Sequence, residues 1–154
     1  MSRLGRLGVL SVVTLGMFGV AGLGVAVWGH PPGAHESDEG VFVHIANGPN
    51  DPHRALMGLQ MAALMSESKD VLVYLDVKAV ELVLKDAPDV TYGQFPSSQT
   101  QLRKLLSSGT GVYVCPGCLQ AAGKTPDDVM EGVHIATKEA FFDFTHGRIL
   151  SLSY

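Results

Sequence analysis

Val71-Leu-Val-Tyr-Leu-Asp-Val77 is apolar at nearly every position. A strand with one face in water interleaves polar residues. An unbroken apolar run marks a strand covered on both faces, as in parallel sheets flanked by helices. Working outward, Val41-Phe-Val-His-Ile45, Val112-Tyr-Val114, Val133-His-Ile-Ala136 and Arg148 to Leu152 read as further short strands. Helical patterns separate them: His53 to Met65, Lys78 to Lys85, Gln99 to Ser107, Pro116 to Ala122 and Lys138 to Phe144. Asp51 followed by Pro52 has the form of an N-cap with proline at N1, and Thr125-Pro-Asp-Asp128 that of a capping-box relative. Gly109 and Gly123 stand where two helices should stop, and Asp86 to Ser98, with two prolines and a glycine, reads as a loop. Five strands alternating with helices predict a three-layer α/β/α domain over residues 41–154, built on a mostly parallel five-stranded sheet. Such sheets bind their ligands beyond the carboxyl ends of the strands, which directs attention to the loops after Ile45, Val77, Val114 and Ala136.

The domain is preceded by a different kind of sequence. Arg3 and Arg6 lead into a run from Leu7 to Trp28 without a single charge. Its glycines and lack of any polar face argue against a buried helix of a water-soluble core. Residues 1–29 are expected to be a signal peptide or a membrane anchor, since the run is long enough to cross a bilayer, which takes roughly 20 residues. Arginines stay on the cytoplasmic side, so the domain is expected outside it, periplasmic or secreted, or held at the inner membrane by residues 7–28. Residues 30–40 read as a polar spacer whose His30 and His35 are solvated. Without residues 1–29 the chain holds nine Lys and Arg against fifteen Asp and Glu, net −6. No basic cluster appears, so nucleic acid is not an expected partner.

Both cysteines lie in one motif, Val114-Cys-Pro-Gly-Cys-Leu119, at the end of the third strand. Pro116 fixes N1 of the helix that follows, placing Cys115 near the N-cap and Cys118 near N3. A thiolate there is stabilised by free N–H groups and by the helix dipole, which makes the sulfur nucleophilic near neutral pH. Three readings of the pair are open. The cysteines are inert, buried or bridged by a structural disulfide; or they form half of a zinc or copper site completed by histidine; or they are chemically active. Their position at the carboxyl edge favours the third. A thioredoxin-like fold fits less well, because there the dithiol follows an early strand and a proline precedes a later one.

The strand ending in cysteine, then Cys115-x-x-Cys118-Leu-x-x-x-Gly123 and Thr125-Pro-Asp-Asp128, resembles the DsrE/DsrF-like (YchN-like) family of small sulfur-relay proteins. Ala55-Leu56-x-x-Leu59-x-Met61-Ala62 and Gly147-Arg-Ile-Leu-Ser151 agree with it. The resemblance spans Val41 to Tyr154, though only the cysteine segment is distinctive. It implies homo-oligomerisation and a cysteine that carries sulfur as a persulfide, the position matched by Cys115; Cys118 matches a second cysteine found in some branches. It also implies a protein donor and acceptor of sulfur. The familiar relays are cytoplasmic, and the leader departs from that. Thiol–disulfide exchange, or a non-catalytic oligomeric binding module with structural cysteines, are the alternatives.

Around the cysteines, Pro116, Gly117, Asn47, Gly48, Asp76 and His134 are the candidate pocket residues. The N–H groups of Asn47 and Gly48 are expected to line the pocket and Asp76 to orient a polar group in it. His44 and His134 in strands, and the His53, Met57, Met61, Met65 stripe, read first as core and second as ligands. No cofactor or metal is expected, and the glycine-rich phosphate cradles and the Gly-x-Ser-x-Gly elbow are missing.

Overall fold

A computed structural model describes residues 39–154; the expected leader, and all but the last two residues of the expected spacer, lie outside the described residues. In chain order the elements are β1 (Glu39–Ile45), α1 (Pro52–Met65), β2 (Asp70–Leu75), a 3-10 turn (Ala79–Val83), α2 (Ser98–Ser107) and β3 (Gly111–Val114). They continue with α3 (Pro116–Ala121), a second 3-10 turn (Pro126–Asp128), β4 (His134–Ile135), α4 (Lys138–Phe144) and β5 (Arg148–Ser153). The strands lie in the order β4-β3-β2-β1-β5 and every pairing is parallel. This is the α/β architecture expected from the strand–helix rhythm. The caps also form: Asp51 accepts from the Arg54 N–H, and Asp128 reaches back to accept from the N–H and the hydroxyl of Thr125, as in a capping box. The segment expected as a helix from Lys78 is a tighter 3-10 turn, closed by Ala79 N–H to Asp76 O (2.8 Å) and Glu81 N–H to Lys78 O (3.2 Å).

Strand alternation separates two unlike faces. One carries Val41, Val43, Ile45, Val71, Val73, Leu75, Val112 and Val114, all buried. Ala55, Leu56, Leu59 and Ala62 of α1 and Leu102 and Leu105 of α2 complete this core without any exposure. Each fully buried Leu or Val contributes about 1.5–3 kcal/mol, which is why this face carries the stability. The other face presents Phe42, His44, Tyr74, Asp76 and Tyr113, none of them fully buried. Its cover includes Phe141 of α4, which meets Tyr74 edge-on at 5.1 Å and Phe42 at 5.9 Å.

Two connections interlock at the carboxyl edge. Asp76 N–H donates to Ile45 O and Lys78 N–H to Ala46 O, both at 3.1 Å, so the chain after β2 is tied to the chain after β1. Gly48 makes this possible, because a Cβ there would stand 2.2 Å from the Lys78 carbonyl oxygen. Gly48→Ala is therefore expected to cost about 1–3 kcal/mol by forcing the two backbones apart. Urea denaturation measures it; an unchanged midpoint would contradict this account.

Candidate thiol site

The register of β2 and β3 sets Tyr74 beside Tyr113 and Leu75 beside Val114. One residue further, Cys115 donates its N–H to Leu75 O at 2.9 Å, which sets its side chain next to Asp76 on the half-open face. Cys115 is the N-cap of α3, with Pro116 in the first turn, and the Cys118 N–H donates to Cys115 Sγ at 3.3 Å. Sulfur thus takes the place that a serine or aspartate oxygen usually holds at a helix start. Both thiols are free and half-buried.

Their environments push them in opposite directions. Burial opposes ionisation of Cys115, but hydrogen bonds from the Cys118 thiol, the Tyr74 hydroxyl and the N–H groups of Cys118 and Gly117 together hold its pKa below the ordinary thiol value. Cys118 is raised, first by burial, then by its hydrogen bond to Cys115 and by the charges of Cys115 and Asp76. A bond from the Val77 N–H works against that rise. Burial, and then the bond to Cys115, also raise Tyr74, which keeps its phenol protonated as a donor. The result is one thiol poised as nucleophile and a neighbour poised as a protonated partner.

Two further features complete the site. Asp76 Oδ1 lies 2.8 Å from His44 Nε2, and the His44 ring stacks on Tyr74 at 5.8 Å. Among the described residues Val77 is the non-glycine residue with positive φ, at +45°. For a β-branched side chain this is a true outlier, costing on the order of 1–3 kcal/mol. The side chain is 60% exposed, so packing does not compensate it. The Val77 N–H opposes the rise in the Cys118 pKa.

Of the residues singled out in the sequence, Cys115, Cys118, Pro116, Gly117 and Asp76 come together here. Gly48 does not line the thiols: its N–H is taken by Asn50 Oδ1 at 2.9 Å, and it acts by shaping the turn behind Val77. Asn47 accepts from Asn50 Nδ2 at 3.3 Å and borders a separate open cleft of about 670 Å³ with His44, His53, Arg54, Met57 and Tyr154. His134 is exposed on β4, its ring 5.4 Å from Tyr113. Met57, Met61 and Met65 are half-buried along α1, and His53 stacks on Tyr92 at 4.8 Å. Among the described residues no group of three His, Cys, Asp or Glu side chains is placed to hold a metal ion. A second cleft, of about 380 Å³, opens at the amino ends of β2 and β3, at the far end of the strands from the cysteines.

Sequence reasoning missed Tyr74 and Val77. Tyr74 shares the alternation of Asp76, so naming Asp76 was enough to find it. Nothing in the sequence marks Val77, since valine is among the last residues expected at positive φ.

Fold and site together define a small parallel α/β protein with two free cysteines at the carboxyl edge of its sheet. Residues 39–147 match the model of the DsrE/DsrF-like family, and the chain belongs to that family. Among solved structures it is similar to the YchN protein of E. coli, at 18% identity and a TM-score of 0.57, over 75% of this chain and 99% of that one. It is also similar to MTH1491 of Methanobacterium thermoautotrophicum, a protein of unknown function, at 15% identity and a TM-score of 0.49, over 74% and 98%. No curated protein matches the sequence.

Two substitutions probe the electrostatics and the strain. Tyr74→Phe removes a donor to the Cys115 sulfur, so the Cys115 pKa is expected to rise and its alkylation near pH 7 to slow. Iodoacetamide rates against pH read this directly, and an unshifted profile counts against the bond. Val77→Gly releases about 1–2 kcal/mol of left-handed strain and costs about 0.5–1 kcal/mol in chain entropy. Its thermal midpoint is expected to hold or rise; a clear fall would mean that the valine side chain packs.

Proposed function

We propose that this protein carries sulfane sulfur on Cys115 as a persulfide and discharges it with the help of Cys118, on the outer side of the cytoplasmic membrane. The observation that carries the reading is the set of donors aimed at Cys115, which favours its thiolate at the sheet's carboxyl edge. Membership of a sulfur-relay type family is consistent with it. In loading, the Cys115 thiolate attacks the terminal sulfur of a donor persulfide, R–S–SH. The new S–S bond forms at Cys115, the old one breaks, and R–S⁻ leaves. The donor and acceptor are then proteins or thiols of the same compartment, which the arginine-flanked apolar run of residues 7–28 supports. Self-association is supported by the half-covered sheet face and by Leu64, Phe142 and Leu150, which are 48%, 70% and 51% exposed.

The opposed directions of the two thiols also suit dithiol–disulfide exchange, in which Cys115 attacks a disulfide and Cys118 resolves the mixed product. Intact mass after treatment with inorganic polysulfide separates the two. A sulfur carrier gains one sulfur atom that a dithiol reductant removes; Cys118→Ser retains the gain and Cys115→Ser abolishes it. Sulfur uptake that survives Cys115→Ser would reject the assignment. An internal disulfide in the wild-type chain, with no gain of sulfur on Cys118→Ser, would favour exchange.

A further inference from the structure

Cys118 is the less acidic thiol of the pair, yet to release a group from Cys115 it must lose a proton and attack. Its neighbours are few. The Cys118 N–H donates to Cys115 Sγ at 3.3 Å, which holds the two cysteines together at the start of α3. The strand register brings Asp76 alongside Cys115 on the same face. His44 reaches across from β1 and holds the far side of the carboxylate at 2.8 Å. The remaining titratable groups facing this spot are Tyr74 on β2, Cys115 itself and, one strand over, Tyr113 with the His134 ring tilted against it. α4 faces it through Phe141, and the Lys78 ammonium is engaged with Glu81 at 3.2 Å. Tyr74 stays protonated, so the His44–Asp76 pair is the base within reach.

We propose that the His44–Asp76 pair accepts the proton of Cys118 as Cys118 displaces a group held on Cys115. With a persulfide on Cys115, the Cys118 S–H bond breaks toward Asp76 and the sulfur attacks Cys115 Sγ. A Cys115–Cys118 disulfide forms, the bond to the outer sulfur breaks, and HS⁻ departs, taking up the proton to leave as hydrogen sulfide. Oxidation of two thiol-level sulfurs to the disulfide balances reduction of the sulfane sulfur to sulfide. The identity of the departing group rests on the proposed function; the proton transfer does not.

For that reason the test uses an aromatic disulfide reagent, 5,5′-dithiobis(2-nitrobenzoate), on the full chain. Cys115 releases one coloured thiolate as it forms the mixed disulfide, and Cys118 releases the second as it closes the ring. Asp76→Asn is expected to slow the second phase at pH 7 by roughly tenfold or more and to displace its rise with pH to the alkaline side. His44→Gln should do the same by a smaller factor, and it decides the matter if Asp76→Asn does not fold. The sign discriminates. Loss of a mere neighbouring negative charge would ease ionisation of Cys118 and speed ring closure, so an unchanged or faster second phase overturns the proposal. A polysulfide arm followed by sulfide release reads the other question separately. Ring closure that depends on Asp76, together with no sulfur on Cys118→Ser and no sulfide from the wild-type chain, keeps the proton acceptor and rejects the sulfur carrier.

Discussion

Parallel pairing of β2 between β1 and β3 is the constraint from which the site follows. Parallel strands leave the sheet on the same edge, so residues far apart in sequence are delivered to one place. Leu75 is the pivot: its carbonyl receives the Cys115 N–H, while Asp76 beside it donates to Ile45 O. Those two bonds fix the ends of three strands at a common level. His44, Asp76 and Cys115 then share one face because side chains alternate, and no loop has to be ordered to assemble them.

Burial alone would raise the pKa of both cysteines and separate them little. Hydrogen bonding makes the difference. Cys115 is surrounded by donors from Tyr74, Gly117 and Cys118, whereas Cys118 receives the Val77 N–H and also faces the carboxylate of Asp76. Charge-assisted hydrogen bonds are roughly twice as strong as neutral ones, so several converging on one sulfur outweigh partial desolvation. The six-residue helix α3 contributes mainly through these local N–H groups, since a helix of that length has only a small dipole.

The sheet and its order of elements were legible because each signal was redundant. Apolar runs, proline at N1 before both α1 and α3, and glycines at +77° and +70° after α2 and α3 all agreed. Cys115 and Cys118 were legible for the same reason: Pro116 dates the helix start. What could not be read was the packing of one connection on another. Gly48 looked like a donor to the pocket, but its role comes from the Lys78 carbonyl, which no local pattern reveals. The pairing of His44 with Asp76 spans 32 residues and depends on strand register, which follows from tertiary contacts.

The unequal faces of the sheet explain how a strained site is tolerated. The sealed face, under α1 and α2, buries nearly every aliphatic strand residue and supplies stability at a distance from the thiols. The open face can therefore keep groups that a good core excludes: a carboxylate, a histidine, two thiols and a valine in a left-handed conformation. At the turn itself the Val77 strain is opposed by bonds on either side, from Asp76 N–H to Ile45 O and from Lys78 N–H to Ala46 O. Both flanking amides are thus tied to the chain after β1, which fixes the turn between them. The bonds to the chain after β1 are what hold the strained turn in place.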